Sequence, residues 1–467
     1  MKLDLGVFRE YDIRGIWGEN IDRNFGFLLG VAFSKYLKGK LNRDKISVSI
    51  GYDARLSSKE IFDALSKGFN SQGVKVFDIG LVPTPVQYFS LFNLDVNGGV
   101  MITASHNPKE YNGFKLSLGK ETLFGEEIRE VGELMLSLDV EFDSKVESNI
   151  EKVDMLGKYI DFMLDQFGYL KEVEDKPSIA LDGGNGTAGF VGFDIFKRLG
   201  FDVKDLFVEP DGNFPNHHPD PTVEKNLKDL KETIEKYKLE FGVGYDGDGD
   251  RIGVVLKDKT ILWGDQLLLL LSQDVCKRRK GAKVIMDVKC SDIVYNMIEK
   301  TGCKPIMYKT GHSLIKNKMK EEKALLAGEM SGHIFMGENY FGYDDAIYVS
   351  LKLAEIVTRD RLDLVSWKNS LPKVYNTPEI RIDCPEDRKN SVIEEFKLIL
   401  DKEKEELGIV DTLTIDGVRF KTSYGWGLVR ASNTQPVLVL RFEANNEENL
   451  ERIKDFTLNH IEELIKR

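Results

Sequence analysis

Ser178-Ile179-Ala180-Leu181-Asp182-Gly183-Gly184-Asn185-Gly186 is a short apolar strand that breaks into a polar, glycine-rich turn. A helical stretch follows as far as Leu199, Gly200 ends it, and residues 201–207 return to a strand pattern. Strand, turn, helix, glycine stop and strand together are the signature of a βαβ unit, in which the two strands lie parallel in one sheet. The same plan occurs twice more. Residues 46–50, the turn Asp53-Ala54-Arg55, a helix near 59–70, Gly73 and a strand at 74–79 make one copy. Residues 283–286, Asp287, a helix near 292–300, Gly302 and a strand at 303–308 make the other. Three copies predict three related α/β domains with mixed or parallel sheets.

The end of the chain reads differently. Residues 410–415, the Asp416-Gly417 turn and residues 418–421 carry a hairpin signal, and residues 437–443 read as another strand. A charged amphipathic helix over 447–466 follows, with Asn446 as its N-cap. The expected division is three α/β domains at residues 1–150, 154–258 and 259–369, then an α+β domain at 370–467. Joints fall at 148–155, 257–262 and 367–375; none is a long Gly/Ser tract, which predicts packed domains with hinges.

Composition sets limits on the partners. A net charge of −12, from 77 acidic and 65 basic residues, argues against a general nucleic-acid or anionic-membrane surface. An anionic ligand would need a local cluster of Arg and Lys. The N-terminus has no apolar signal region, and the apolar run 267–271 is far too short for a bilayer, so it reads as a buried helix. Cys276, Cys290, Cys303 and Cys384 have no CxxC spacing; they read as reduced thiols of a cytoplasmic protein, without zinc. No obligate protein partner is evident.

Four polar strings interrupt the apolar framework. Thr103-Ala104-Ser105-His106-Asn107-Pro108 follows the apolar strand 99–102, and a serine at a strand's C-terminal end suits chemistry in an open α/β sheet. A serine hydroxyl needs a base or a strong electrophile to act as a nucleophile; if it carries phosphate, that group becomes the donor. The string also fits an ordinary Ser-Asn-Pro turn. Lys115, ten positions on, is a source of charge or of a proton. In Asp246-Gly247-Asp248-Gly249-Asp250-Arg251 three carboxylates repel one another unless a cation holds them. Oxygen ligands without His or Cys favour Mg²⁺ over Zn²⁺. An EF-hand is excluded, since its sixth position would be Arg251 and its twelfth Lys257. A rival reading makes Asp246 and Asp248 the nucleophile and acid of an aspartate-based phosphatase.

Gly328-Glu329-Met330-Ser331-Gly332-His333 offers a carboxylate and a hydroxyl to vicinal sugar hydroxyls, with His333 able to move a proton. His312 lies in a similar loop. Arg430-Ala431-Ser432-Asn433-Thr434-Gln435-Pro436 gathers a guanidinium, hydroxyls and an amide suited to phosphate. Arg9-Glu10-Tyr11-Asp12-Ile13-Arg14-Gly15 is a charged, aromatic segment that could line a cleft. Each string alone is compatible with a structural loop. Together they point to phosphoryl transfer on a phosphorylated sugar.

With these motifs, in this order along the whole chain, the sequence resembles the α-D-phosphohexomutase superfamily, and most closely its phosphomannomutase/phosphoglucomutase branch. The resemblance implies three related α/β domains and a C-terminal α+β domain around a central cleft. It implies interconversion of hexose 1- and 6-phosphates (mannose and/or glucose) through a phosphorylated Ser105 and a hexose 1,6-bisphosphate intermediate, with small-molecule sugar phosphates as partners. Ser105, Asp246, Asp248 and Asp250 would bind Mg²⁺. Lys115, His333, His312 and Arg251 would take the catalytic roles. Tyr11, Arg14, Lys289, His312, Glu329, Ser331, Arg430, Ser432, Asn433 and Thr434 would bind substrate. Tyr52 departs from the family pattern, where Arg is common. Met330 stands where the glucosamine-phosphate branch typically has Gln, which argues against an amino sugar.

Overall fold

The computed structural model describes residues 3–432 and 435–467. Each predicted βαβ unit forms, and each belongs to a larger common plan. In the first sheet the parallel strands Lys75–Leu81, Ser47–Tyr52 and Gly98–Ile102 lie side by side, and Tyr111–Leu118 closes the row antiparallel to Gly98–Ile102. The second sheet repeats this order with Val203–Leu206, Ile179–Asp182, Phe241–Tyr245 and antiparallel Ile252–Leu256. The third does so with Lys304–Tyr308, Lys283–Asp287, Leu326–Gly328 and antiparallel Ile334–Met336. In every copy a hairpin joins the third parallel strand to the antiparallel one. Those three hairpins hold residues 103–110, 246–251 and 329–333, the first three polar strings.

Phe241–Tyr245, Ile252–Leu256 and Gly98–Ile102 are buried at every position, as expected for strands covered on both faces. The Leu267–Leu271 run lies inside the helix Gly264–Arg278 and is wholly buried. One continuous apolar core runs from Phe89 through Tyr159 and Tyr245 to Leu268 and Tyr348, and so joins the first three sheets into one body.

The C-terminal sheet is antiparallel, with Tyr375–Asn376, Val437–Ala444, Gly425–Ala431, Val418–Thr422 and Ile409–Leu413 in that order. The predicted hairpin is present with its turn at Asp416-Gly417. The helix Glu447–Lys466 is capped by the Asn446 side chain, which accepts from the Asn449 N–H. This domain has its own core around Phe396, Phe420 and Phe442. It meets the third domain through Trp426 and Leu428 against Val288, and through polar contacts: Arg419 with Asp292, Arg441 with the Lys289 carbonyl, and Ser291 with Glu443. A core of its own and a seam of a small apolar cluster with polar contacts set this domain apart from the other three.

One expectation fails. Cys276 and Cys303 are not reduced thiols but form a disulfide, with Cα atoms 5.7 Å apart, whereas Cys290 and Cys384 are free and buried. The pairing is tertiary: the end of the helix Gly264–Arg278 lies over the start of the strand Lys304–Tyr308, a proximity that a spacing of 27 residues does not announce. Among the described residues no helix is long and apolar enough to cross a membrane.

Candidate active site

The three equivalent hairpins meet. Ser105, 141 positions from Asp246 in sequence, donates its hydroxyl to Asp246 Oδ2 at 2.7 Å. Its backbone stands at φ 49°, in the left-handed region that residues with a Cβ rarely adopt, so the surroundings must hold it there. Arg55 does much of this. From the turn after the first strand, its guanidinium donates to the carbonyls of Ser105 (2.8 Å), Asn107 (2.6 Å), Pro108 (2.6 Å) and Tyr111 (2.9 Å). Asp53 holds Arg55 Nε at 3.1 Å. Thr103 accepts from the Ser105 N–H, and His106 Nδ1 lies 3.1 Å from the Ser105 hydroxyl. Burial, then the charges of Arg251 and Arg14, push His106 well below the usual imidazole range, so it is neutral.

The acidic hairpin is organised in the opposite sense. Asp246 Oδ1 accepts from the N–H groups of Gly249 (3.0 Å), Asp250 (3.1 Å) and Arg251 (3.1 Å). Asp246, Asp248 and Asp250 present oxygens within 4.8 Å of one another, a group able to hold a metal ion. Burial and then repulsion from Asp250 and Asp248 raise Asp246 well above the usual carboxylate range. Asp248 moves the other way: burial opposes its charge, but Lys115 outweighs it and holds the carboxyl low. Lys115, itself buried, donates to Asp248 Oδ2 at 2.8 Å and to Asp250 Oδ2, and the two carboxylates lift it well above the usual lysine range despite its burial. Thr84 adds a bond from the first domain, its hydroxyl 2.6 Å from Asp248 Oδ2.

On the third hairpin, Glu329 is buried and accepts from the Gly311 N–H at 2.7 Å. His333 Nε2 accepts from Arg251 Nε at 2.8 Å, and His333 Nδ1 lies 2.8 Å from Asp344 Oδ2. His312 stacks on His333, and Tyr11 lies edge-on to His312. Burial, then Lys316, drives His312 well below the usual range. Ser331 is half-buried on the same hairpin. Lys289 lies 3.8 Å from Asp287 and 3.5 Å from Glu379 of the fourth domain. Arg14 donates to the Asn107 side chain at 2.6 Å. Arg430 and Ser432 are buried at the end of the strand Gly425–Ala431, with Arg430 Nε bonded to Asp416 at 2.9 Å. Asn433 and Thr434 lie outside the described residues.

The structure thus gathers Ser105, Lys115, the three aspartates, Arg251, His312 and His333 into one linked cluster, with Arg14 and Tyr11 in contact with it. Sequence reasoning overlooked Arg55, Thr84, Asp344 and Lys316. The weak signals available were the Asp53-Ala54-Arg55 turn and the rigid Pro83-Thr84-Pro85 bracket. Tyr52 lies apart from the cluster's contacts, on the wall of a cavity of about 290 Å³ with Asp78, Lys152 and Asp154.

Residues 6–137, 157–259, 263–375 and 379–460 match, in turn, the families described as phosphoglucomutase/phosphomannomutase alpha/beta/alpha domains I, II and III and the C-terminal domain. The chain is 43% identical over 459 residues to a phosphomannomutase/phosphoglucomutase of Pseudomonas aeruginosa, covering 98% of this chain and 96% of that one. It is 42% identical over 454 residues to a phosphoglucomutase of Neisseria meningitidis, covering 96% and 95%. A crystal structure of a phosphoglucomutase/phosphomannomutase family protein from Burkholderia thailandensis superposes with a TM-score of 0.89 at 36% identity, covering 99% of this chain and 98% of that one.

Proposed function

Because the chain belongs to the phosphoglucomutase/phosphomannomutase family, we propose that it interconverts hexose 1-phosphates and hexose 6-phosphates, with mannose, glucose or both as the sugar. The transfer runs through a phosphorylated Ser105 and a hexose 1,6-bisphosphate intermediate. The observation that carries this reading is the 2.7 Å bond between the Ser105 hydroxyl and Asp246, which joins the first two domains. In this reading residues 1–150 carry the phosphoserine hairpin, 154–258 the metal hairpin, 259–369 the sugar hairpin and 370–467 the phosphate loop.

The acidic group suits a hard divalent ion, Mg²⁺. Asp248 Oδ1 and Asp250 Oδ1 are buried without a hydrogen-bond partner, and mutual repulsion distorts the titration of Asp246. When bound, the ion supplies positive charge beside the transferring phosphoryl group. Lys115 and Arg251 supply more from the protein. His333 Nε2 is unprotonated, since it accepts from Arg251 Nε, and once released from that bond it would take the proton of the sugar hydroxyl that attacks phosphorus, while Lys115 would give a proton to the Ser105 oxygen as its O–P bond breaks. The bisphosphate then turns, the Ser105 oxygen returns its proton to Lys115 as it takes the second phosphate, and His333 gives its proton back to the departing sugar oxygen. Lys289, Glu329 and Ser331 would bind sugar hydroxyls, with His312, Tyr11 and Arg14 lining the cleft. Arg430 and Ser432, with Asn433 and Thr434, would hold the phosphate that does not react.

An aspartyl phosphatase fits less well. Asp246 Oδ1 is held by three backbone N–H groups of its own loop and Oδ2 faces the Ser105 hydroxyl at 2.7 Å, so a serine, for which that reading has no role, occupies the place of attack. Sugar phosphates are the proposed ligands; nucleic acid, membrane and obligate protein partners have no place in the reading. Cytoplasmic action remains part of it, and the Cys276–Cys303 bond, buried at 2% and 3% exposure, is sheltered from reductants.

Intact-mass measurement tests the proposal. The purified protein, incubated with glucose 1,6-bisphosphate, gains one phosphate-sized adduct that Ser105→Ala lacks, and Ser105→Ala loses at least about a thousandfold in mutase rate. An adduct that persists in Ser105→Ala, or net release of inorganic phosphate, overturns it.

A further inference from the structure

A carboxylate beside the phosphate arginine would ordinarily repel the ligand, yet Asp416 sits there. Its Oδ2 accepts from Arg430 Nε at 2.9 Å and also from the backbone N–H of Thr310 at 3.0 Å. Arg430 belongs to the C-terminal domain and Thr310 to the third. One oxygen therefore ties the phosphate loop to the segment that carries the sugar hairpin's partners. Thr310 and Gly311 extend the connection. The Thr310 carbonyl accepts from the Tyr11 hydroxyl at 2.6 Å, the Thr310 hydroxyl lies 3.2 Å from Asp287, and the Gly311 N–H donates to Glu329. Asp416 is the fourth domain's entry into a chain of bonds that reaches the first and third.

We propose that Asp416 is a positioning residue that holds Arg430 and the fourth domain in the closed arrangement needed to grip the non-transferring phosphate. This rests on the mutase reading above. Two features support a latch rather than a fixed strut. Asp416 engages Nε, while no described residue hydrogen-bonds Arg430 Nη1 or Nη2, so the outer edge of the guanidinium suits the paired oxygens of a phosphate. Asp416 also borders a cavity of about 260 Å³, lined by Glu10, Lys309, Thr310, Leu314, Ile415 and Gly417, where the first, third and fourth domains meet. The seam is incompletely filled there, and the side chain has room to release.

Because both bonds fall on one oxygen, variants separate geometry from charge. Asp416→Asn places an amide oxygen in the same position and keeps both bonds. Asp416→Ala removes them, and Asp416→Glu keeps the charge but shifts it by one methylene. Asp416→Ala and Asp416→Glu are expected to raise KM for glucose 1-phosphate at least about tenfold with kcat within about twofold, and Asp416→Asn to stay within about threefold of the parent. The Kd for glucose 1,6-bisphosphate, read by calorimetry on Ser105→Ala protein with and without Asp416→Ala, should weaken in parallel. Unchanged KM and Kd in Asp416→Ala overturn the proposal, as does a fall in kcat alone. Parent-like behaviour of Asp416→Glu also overturns it, since charge and not placement would then matter. If the parent protein has no mutase activity, the underlying reading fails, and the Kd comparison still judges Asp416.

Discussion

The serine hairpin and the acidic hairpin occupy the same position in two copies of one topology and are fixed by opposite chemistry. In the first, a buried cation collects carbonyls: Arg55 binds four of them between Ser105 and Tyr111. In the second, a buried anion collects amides: Asp246 binds three N–H groups of its own loop. Arg55 has a carboxylate, Asp53, at its back and is electrically balanced inside its own domain. Asp246 shares its loop with two further carboxylates and one cation, Arg251, and its other partner, the Ser105 hydroxyl, comes from the first domain. Two hairpins in the same topological position are thus held by anchors of opposite polarity, one beneath the proposed nucleophile and one within the acidic group that could hold a metal ion.

The greatest expected effect comes from cutting the first anchor. Arg55→Met roughly keeps the volume but removes the guanidinium from four carbonyls and from Asp53 Oδ2, of which Pro108 keeps the Tyr111 N–H and Asp53 the Ser58 hydroxyl on its other oxygen. A buried pair broken on one side costs about 3–5 kcal/mol, and the unmatched carbonyls add to it. Hydrogen exchange over residues 103–111 should accelerate and the melting temperature should fall. Unchanged exchange there would mean that the left-handed Ser105 backbone is held by other contacts.

Next is the second hairpin's dependence on an external charge. Asp246 has a folded-state pKa above its unfolded value, so it favours the folded protein at low pH and that contribution is lost as pH rises past the ordinary carboxylate range. Asp248, held low despite its burial chiefly by Lys115, behaves oppositely and loses its contribution only in acid. In metal-free protein the acidic hairpin should therefore weaken as pH rises above the ordinary carboxylate range. Mg²⁺ at a hundred times its Kd should add about 2.7 kcal/mol. The gap in melting temperature between metal-loaded and chelated protein should widen with pH and narrow in Asp246→Asn. A gap that is flat with pH would show that Asp246 does not carry the repulsion.

The architecture was readable where it is written locally. Turn glycines and strand–helix alternation in residues 46–79, 178–207 and 283–308 betrayed three copies, and alternating Asp and Gly in 246–250 marked a carboxylate group that could hold a metal ion. The anchors were not readable. The partners of Arg55 are backbone carbonyls, which every residue has, so nothing in the sequence distinguishes them. Thr84 reaches Asp248 across 164 positions and Asp416 reaches Thr310 across 106, contacts that exist only once the domains dock. The Cys276–Cys303 bond lies inside the third domain, but it too depends on packing, of the helix Gly264–Arg278 over the start of the strand Lys304–Tyr308, that the spacing does not show. Chemistry that a short loop completes by itself leaves a spacing pattern; chemistry completed between domains does not.

The mildest effect separates the hairpins without replacing either anchor. A Cβ on Gly247 would lie 2.5 Å from the Ser105 carbonyl oxygen, the same oxygen that accepts from Arg55 Nη2. Gly247→Ala must therefore push the two loops apart by some tenths of an ångström, an overpacking cost of about 1–3 kcal/mol. Because the Ser105 hydroxyl bonds Asp246 one residue away, the shift falls directly on the 2.7 Å contact that joins nucleophile and acidic group. A modest fall in melting temperature should accompany a disproportionate fall in kcat, about a hundredfold for a displacement near 1 Å and less for a smaller one. The third hairpin offers the comparison: a Cβ on Gly332, whose φ is 87°, would lie 2.4 Å from the Ile252 carbonyl oxygen, so Gly332→Ala should cost at least as much stability without pressing on Ser105. Equal losses of kcat in both variants would show that strain anywhere among the three hairpins, and not the serine–aspartate contact in particular, limits turnover.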